Sequence, residues 1–290
     1  MENEYNRTDE KHIAYHYCSV ESFFNIIKNK TLWLSNTEYM NDKEELIWID
    51  AVVEKAIKEI KQEKEYIKEI KKFEKEYTKL KHKKNYMFSF SKERDLLSQW
   101  RAYGDNSAGV AIGFHFGLAM DIVKIPPRDL AVSKMPRKEA TSNNVKFGYT
   151  DVSYDSSNIK KQIIESLCNN KNYDMSALMI KELALFLKHH SFKEEKEKRL
   201  VYTPENNPQI KQNSSLDEAV KNISELKHRV SGKQIIPYYE FDFSSDYNSL
   251  LIPKIILGSK TQLKKDDLYN FLKCNGFDGT EIIESESTYQ

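Results

Sequence analysis

Glycine is scarce in this chain, 9 of 290 residues, while tyrosine and phenylalanine number 17 and 14. Such aromatic bulk excludes disorder over most of the length. Cysteine is nearly missing. Cys18, Cys168 and Cys274 are scattered and fall in no paired motif, which excludes a disulfide framework and fits a reducing cytoplasm. An excess of charge is missing too. Charged residues make up 31% of the chain, yet the formal net charge is +1, so no global field draws it to nucleic acid. No apolar run approaches a membrane span, and the polar opening MENEYNRTDEKH is unlike a signal peptide. Several motifs are absent as well. There is no Walker loop, and GDNSAGVAIG does not fit the dinucleotide-binding glycine pattern. No Cys/His spacing suits zinc, so no metal is expected; His189 and His190 are adjacent on an expected helix and should point apart. G-x-S-x-G is missing, which removes support for a hydrolase nucleophile elbow.

What is present begins with NYMFSFSKERDLLSQWRAYGDNSAGVAIGF, residues 85–114. Tyr86, Phe88 and Phe90 alternate with Met87, Ser89 and Ser91, which predicts a strand carrying two serines on one face. Leu96, Leu97, Trp100 and Tyr103 recur at helical spacing, and Gly104 is expected to stop that helix in the left-handed conformation. Val110, Ile112 and Phe114 alternate again. Further strands are expected over 13–18, 31–35, 145–154, 195–202, 234–243, 252–257 and 280–285. Helices are expected after an N-cap at Ser19 and over 160–168, 175–190 and 266–274, the third with an apolar face of Leu178, Met179, Leu183, Leu185 and Phe186. A frayed arm at 1–11, a helical turn toward 123, a segment broken by Pro126, Pro127 and Pro136, a polar loop over 206–215 and a helix from Leu216 complete the reading.

From 43 to 84 the period is helical. Leu46, Ile49, Val53, Ile57, Ile60, Ile67, Ile70, Tyr77 and Leu80 step mostly by threes and fours, with Lys and Glu on the opposite faces. This predicts one long helix or a helical hairpin inserted between strands. The fold class is α+β: a mixed or split sheet with a helical insertion over 43–84, in a single domain spanning 1–290.

Three polar patterns could carry chemistry. Tyr15-His16-Tyr17-Cys18-Ser19 places an imidazole at a strand end beside the open N–H groups of a helix start. That suits a ribose or a phosphate, or else a satisfied structural histidine. In the strand expected from 195, Glu195, Glu197, Arg199 and Val201 share a face. This is either a solvated strand end with Glu–Arg pairing, or a carboxylate held beside a cationic reaction centre, where it stabilises an oxocarbenium ion. Arg229, ahead of an aromatic strand, can fork onto phosphate or carboxylate, or make a structural pair.

In this order, YHYCSVESFFNIIKNKTLWLSNTEYMND, FSFSKERDLLSQWRAYGDNSAGVAIGF, FKEEKEKRLV, the segment from Arg229 to Tyr239, and IPKIILGS through IIESESTY resemble the bacterial family of domains of unknown function numbered 2971. One departure is Lys198, where that family usually has an aromatic between the Glu and the Arg of its E-x-R pattern. The long helix after Asp42 looks like an enlargement. More distantly, the layout looks like the ADP-ribosyltransferase superfamily. A histidine on an early strand is followed by a helix and TLWLS, then by a serine and aromatic strand, and a late strand carries Glu. That resemblance implies an ADP-ribosyltransferase-like sheet, NAD as the substrate, and NAD cleavage or ADP-ribose transfer. It implies that His16 holds the adenine-side ribose; Tyr17, Ser89, Ser91, Arg199 and Arg229 are expected beside it as nucleotide contacts. Trp100 or Tyr103 would pack on nicotinamide, and Glu197, with Glu195 as the alternative, would stabilise the transition state. The resemblance to the 2971 family also implies a role in bacterial antiphage or toxin loci.

Two other readings stay open. One is a non-enzymatic nucleotide-sensing or protein-binding module that docks a partner through the helix over 43–84. The other is a protein acting on nucleic acid, for which the stretch 58–84, with 11 Lys to 6 Glu, is the only argument; it is ranked last because the charges of the whole chain nearly cancel at +1.

Overall fold

Ile13–Cys18 (β1) is buried on both faces because only His16 interrupts its small and aromatic apolar run. Ser19 then caps α1 (Val20–Asn29), its Oγ accepting from the Ser22 N–H at 3.2 Å. That bond satisfies one of the donors a helix start leaves open. Lys30 ends the helix at φ 54°, and β2 (Thr31–Asn36) follows directly. The computed structural model describes residues 12–39, 43–62, 64–80, 83–116, 147–170, 173–204, 222–244 and 248–287. The expected arm at 1–11, the turn toward 123, the segment of Pro126, Pro127 and Pro136, the loop over 206–215 and the helix from Leu216 lie outside these residues.

The helical period over 43–80 resolves as a hairpin, α2 (Lys43–Ile60) and α3 (Ile67–Leu80), joined through a 3-10 turn at Lys64–Tyr66. Then come β3 (Tyr86–Ser91), α4 (Leu97–Ala102), β4 (Val110–His115), β5 (Phe147–Asp151), α5 (Asn158–Asn170), α6 (Tyr173–Ala184) and β6 (Glu197–Tyr202). The chain closes with β7 (Lys227–Ser231), β8 (Gln234–Asp242), α7 (Asn248–Leu251), β9 (Lys254–Leu257), α8 (Lys265–Cys274) and β10 (Glu281–Glu284). The class is α+β, with ten strands in one mixed sheet ordered β10-β9-β4-β1-β3-β2-β8-β7, and with β6 joining β3 to β5.

β3 is the hub of this sheet. One edge pairs with β6 in continuous register, from Tyr86↔Tyr202 to Ser91↔Glu197. The other edge is shared. β1 meets it at Tyr15↔Ser91, and β2 meets it at Ser35↔Met87 and Asn36↔Tyr86. Both contacts are antiparallel, so β1 and β2 run in the same direction on either side of a seam. Among the described residues, Phe88, Ser89 and Phe90 have no ladder partner on that edge.

The two sheet faces are covered differently. On one, α1, α7 and α8 bury Phe23, Ile27, Leu251, Leu268 and Leu272 against Ala14, Phe88, Phe90, Phe114 and Leu200. On the other, Trp100 of α4 packs on Ile13, Tyr15 and Tyr17 at one flank, and Leu185 and Phe186 pack on Met87 and Val201 at the second. The hairpin packs as helix against α5 and α6, in a cluster of its own that includes Val53, Ile60, Phe73, Ile163 and Ile180. Burying side chains of this size contributes ~1.5–3 kcal/mol each.

Several local expectations are corrected. Gly104 has φ −88°, not a left-handed value. It is needed because a Cβ there would lie 2.5 Å from Trp100 Cε3. The left-handed residues are instead Asp105, Asn106 and Ser107. The helix expected over 175–190 stops at Ala184, and Leu185 and Phe186 leave it to pack on the sheet. Its buried face is Ala177, Ile180, Leu183 and Ala184, because helical spacing alone cannot tell a helix face from an apolar pair just beyond the helix. His189 caps a 3-10 helix, and its ring lies 4.1 Å from that of His190, so the two do not point apart. Ile67 opens α3 at 37% exposure, outside the helical core. β7, KHRVS, was not expected as a strand, because a polar edge strand carries no alternating apolar signal.

Candidate functional site

The face bounded by Trp100 on one side and Leu185–Phe186 on the other is a cleft of about 580 Å³, with the seam between β1 and β2 in its floor. Alternation places the floor residues. Ser35 of β2 lies opposite Met87, Ser91 opposite Tyr15 and Glu197, and Ser89 opposite Arg199, so all share one face. The expected residues His16, Tyr17, Ser89, Ser91, Tyr103, Glu195, Glu197, Arg199 and Arg229 all line this cleft. Trp100 does not. It is fully buried behind Tyr17 at 4.8 Å, and its indole N–H donates to Asp95 Oδ1 at 2.6 Å. Of the two aromatics expected to pack on a ligand, Tyr103 is the one presented, at 40% exposure.

The inner wall is a four-charge network. Arg199 forks onto Glu197, Nε to Oε1 at 2.7 Å and Nη2 to Oε2 at 3.0 Å, and its Nη1 donates to the Leu185 carbonyl at 2.8 Å. The Ser89 hydroxyl donates to Glu197 Oε1 at 2.6 Å. Lys188 reaches Glu197 Oε2 at 3.3 Å and Glu195 Oε2 at 2.8 Å. All three of Lys188, Glu197 and Arg199 are buried, so the solvated strand end considered from the sequence is overturned. Burial alone would raise the Glu197 carboxyl. The charge and fork of Arg199, with Lys188 and Ser89, outweigh that and hold it at about 2. Glu197 is therefore an anion at any working pH, with the roughly four acceptor positions of a carboxylate occupied.

Glu195 is not on the strand. It ends the 3-10 helix His190–Glu195, and Lys196 turns the chain at φ 43° before β6 begins. Its main-chain carbonyl accepts from the Ser91 hydroxyl at 2.8 Å, and that hydroxyl accepts from the Glu93 N–H at 3.0 Å. Ser91 thus fastens the turn to β3.

His16 lies at the seam. Its Nδ1 donates to the Ser89 carbonyl at 3.1 Å, and its ring sits 4.2 Å from that of Phe88. The imidazole supplies the bond that no neighbouring strand offers there. Burial outweighs this bond and lowers its pKa to about 4, so the ring is neutral, with Nδ1 protonated and Nε2 left as the acceptor. Tyr17 lines the wall through its ring. Its hydroxyl donates to the Glu93 carbonyl at 2.7 Å and accepts from the Leu96 N–H at 3.0 Å, and burial raises its pKa.

Lys198 points to the opposite face. Its Nζ lies over Phe116 and Tyr149 at 5.3 and 5.4 Å and pairs with Asp151 at 2.7 Å. The cation and its stem occupy an aromatic environment.

Sequence reasoning missed Lys188, Ser35, Trp33 and Gln99, which also line the cleft. Thr31, Trp33 and Ser35 share a strand face by alternation, so that signal was present. Lys188 sits in an irregular segment after α6 and carried none. Among the described residues, no group of three or more His, Cys, Asp or Glu could hold a metal ion, and no helix is long and apolar enough to cross a membrane. No curated protein and no solved structure matches the chain. From α4 through most of β6, residues 99–200 match the family model described as a protein of unknown function, DUF2971.

Proposed function

We propose that the cleft is a nucleotide site and that the chain acts on NAD, cleaving its glycosidic bond or transferring ADP-ribose, in the manner of the ADP-ribosyltransferases. One observation carries this reading. Residues from β1, β3, α4, β6 and β7, far apart in sequence, converge on one cleft that opens at a seam in the sheet. A neutral imidazole, aromatic walls and a fixed carboxylate suit a sugar that gains positive charge as a glycosidic bond breaks. His16 and Tyr17 would hold the nucleotide, Tyr103 would face nicotinamide, and Glu195 or Glu197 would supply the anion. A role as an antiphage or toxin effector in the cytoplasm goes with this reading.

A second reading, a sensing module without turnover, is favoured by the saturation of Glu197. A ligand hydroxyl can reach that carboxylate only by displacing Ser89 or Lys188. In that case the charged outer faces of α2 and α3 are the surface for a protein partner. The deciding experiment measures nicotinamide release from NAD by wild type, Glu195→Gln and Glu197→Gln, with thermal melts of each. A loss of roughly a hundredfold in turnover, measured at a temperature where the melts show each variant still folded, would assign the acting carboxylate. Wild-type protein that releases no nicotinamide, with or without cell extract, would sink the enzymatic reading.

A further inference from the structure

The cleft holds one positive charge that no described carboxylate pairs with. Arg229 of β7 lies over Trp33, its guanidinium carbon 5.5 Å from the ring centroid, and its Nη2 donates to Ser35 Oγ at 2.9 Å. Its Nε is buried without a hydrogen-bond partner. The nearby acid Glu240 is paired with Lys227 at 2.7 Å. Glu195 and Glu197 answer Lys188 and Arg199. Burial works against the guanidinium's charge, pushing its pKa down. A half-buried cation with an unmet N–H lowers stability. Trp33 and Ser35 hold this one at the wall of a cavity, where an incoming anion would answer both deficits.

We infer that Arg229 and Ser35, backed by Trp33, form a phosphate-binding subsite of the cleft. The inference rests on reading the cleft as a nucleotide site and narrows its ligand to a phosphorylated nucleotide rather than a nucleoside. A guanidinium fork matches two oxygens of a phosphoryl group. The Ser35 hydroxyl accepts from Arg229 and keeps its own hydrogen for a third. That arrangement suits a three-oxygen phosphoryl group better than a carboxylate.

The test is calorimetric titration of the full chain with inorganic pyrophosphate, ADP-ribose and adenosine. It compares wild type, Arg229→Gln and Arg229→Lys, with thermal melts recorded without ligand. Wild type should bind pyrophosphate and ADP-ribose. Arg229→Gln should weaken both by about tenfold or more while leaving adenosine unchanged, since a charge-assisted bidentate contact is lost. Arg229→Lys should recover part of the pyrophosphate affinity, having charge without the fork. Without ligand, Arg229→Gln should melt no lower than wild type, because the charge it removes is unbalanced in the free protein; a merely structural arginine would give a lower melt.

Undiminished pyrophosphate and ADP-ribose binding in Arg229→Gln would overturn the subsite, as would wild type that binds neither, or an unliganded Arg229→Gln that melts well below wild type. Failure of the enzymatic reading looks different. Pyrophosphate binding that depends on Arg229, with no nicotinamide release, keeps the subsite and removes the catalysis. Intact NAD turnover in Arg229→Gln with unchanged phosphate affinity removes the subsite alone.

Discussion

Glu197 shows how strongly surroundings decide what a carboxylate can do. Exposed, a Glu–Arg pair contributes ~0–1 kcal/mol. Here the fork is buried, and Arg199 and Lys188 both depend on the same anion. Glu197→Gln should therefore cost about 3–5 kcal/mol, the usual result of removing one partner of a buried pair. Urea melts would read it, and a change below ~1 kcal/mol would show that the network relaxes or admits water. Acid titrates the same region in two steps. The unfolded chain binds a proton at His16 near the ordinary value of 6.5, while the folded ring resists to about 4. Across that interval the unfolded state holds more protons, so stability falls as pH drops from 6.5 toward 4. Glu197 adds a second loss as pH falls from the ordinary 4.5 toward about 2. The melting temperature should thus decline below pH 6.5, and His16→Gln should make that decline shallower between 6.5 and 4. An unchanged slope would mean that other groups govern the acid limb.

At the scale of elements, the helical hairpin separates what periodicity tells from what packing decides. The stepping of Ile49, Val53, Ile57 and Ile60 was legible, and these four are buried. The same count placed Ile67 in the core and passed over Phe73, yet Ile67 is 37% exposed and Phe73 is 0% exposed. Ile67 opens its helix on the outward side, between Tyr66 and Ile70, which both pack on the helical cluster. Phe73 faces that cluster two turns on. Phe73→Ala should cost about 3–5 kcal/mol through the lost contacts and the cavity. Ile67→Ala should stay within ~0.5 kcal/mol. Comparable urea midpoints for the two variants would contradict this assignment. The strands tell the same story. β1, β3 and β4 announced themselves by alternation, whereas β7 did not, since four of its five residues are exposed and all but Val230 are polar.

For the whole molecule, the sequence told which polar residues were out of place but not how they would meet. Ser89 and Ser91 stood out because they interrupt an aromatic strand, and Glu197 and Arg199 because they share one face of an expected strand with Glu195. Their meeting depends on the β3–β6 register, which joins residues more than a hundred positions apart in sequence. Trp100 and Tyr103 could not be separated by spacing, since both belong to one helical turn. The Asp95 carboxylate decides between them by accepting the Trp100 indole N–H on the core side. Lys188 became part of the site only through the irregular chain that follows α6.

The seam has a consequence for how the backbone exchanges with solvent. Within a strand, the N–H and C=O of one residue point to the same edge. The Ser89 carbonyl faces the seam, where His16 meets it, so the Ser89 amide faces the seam too. Phe88 and Phe90 turn theirs toward β6. In most sheets the central strand is the last to give up its hydrogens to deuterium. Here the hub of a ten-stranded sheet should carry one amide, Ser89, that trades its hydrogen well ahead of its two neighbours. Residue-resolved exchange would show it, and equal protection at Phe88, Ser89 and Phe90 would mean that the seam is closed in solution. A ligand seated across the gap would slow that single site, giving a reporter of occupancy at the centre of the protein rather than at its rim.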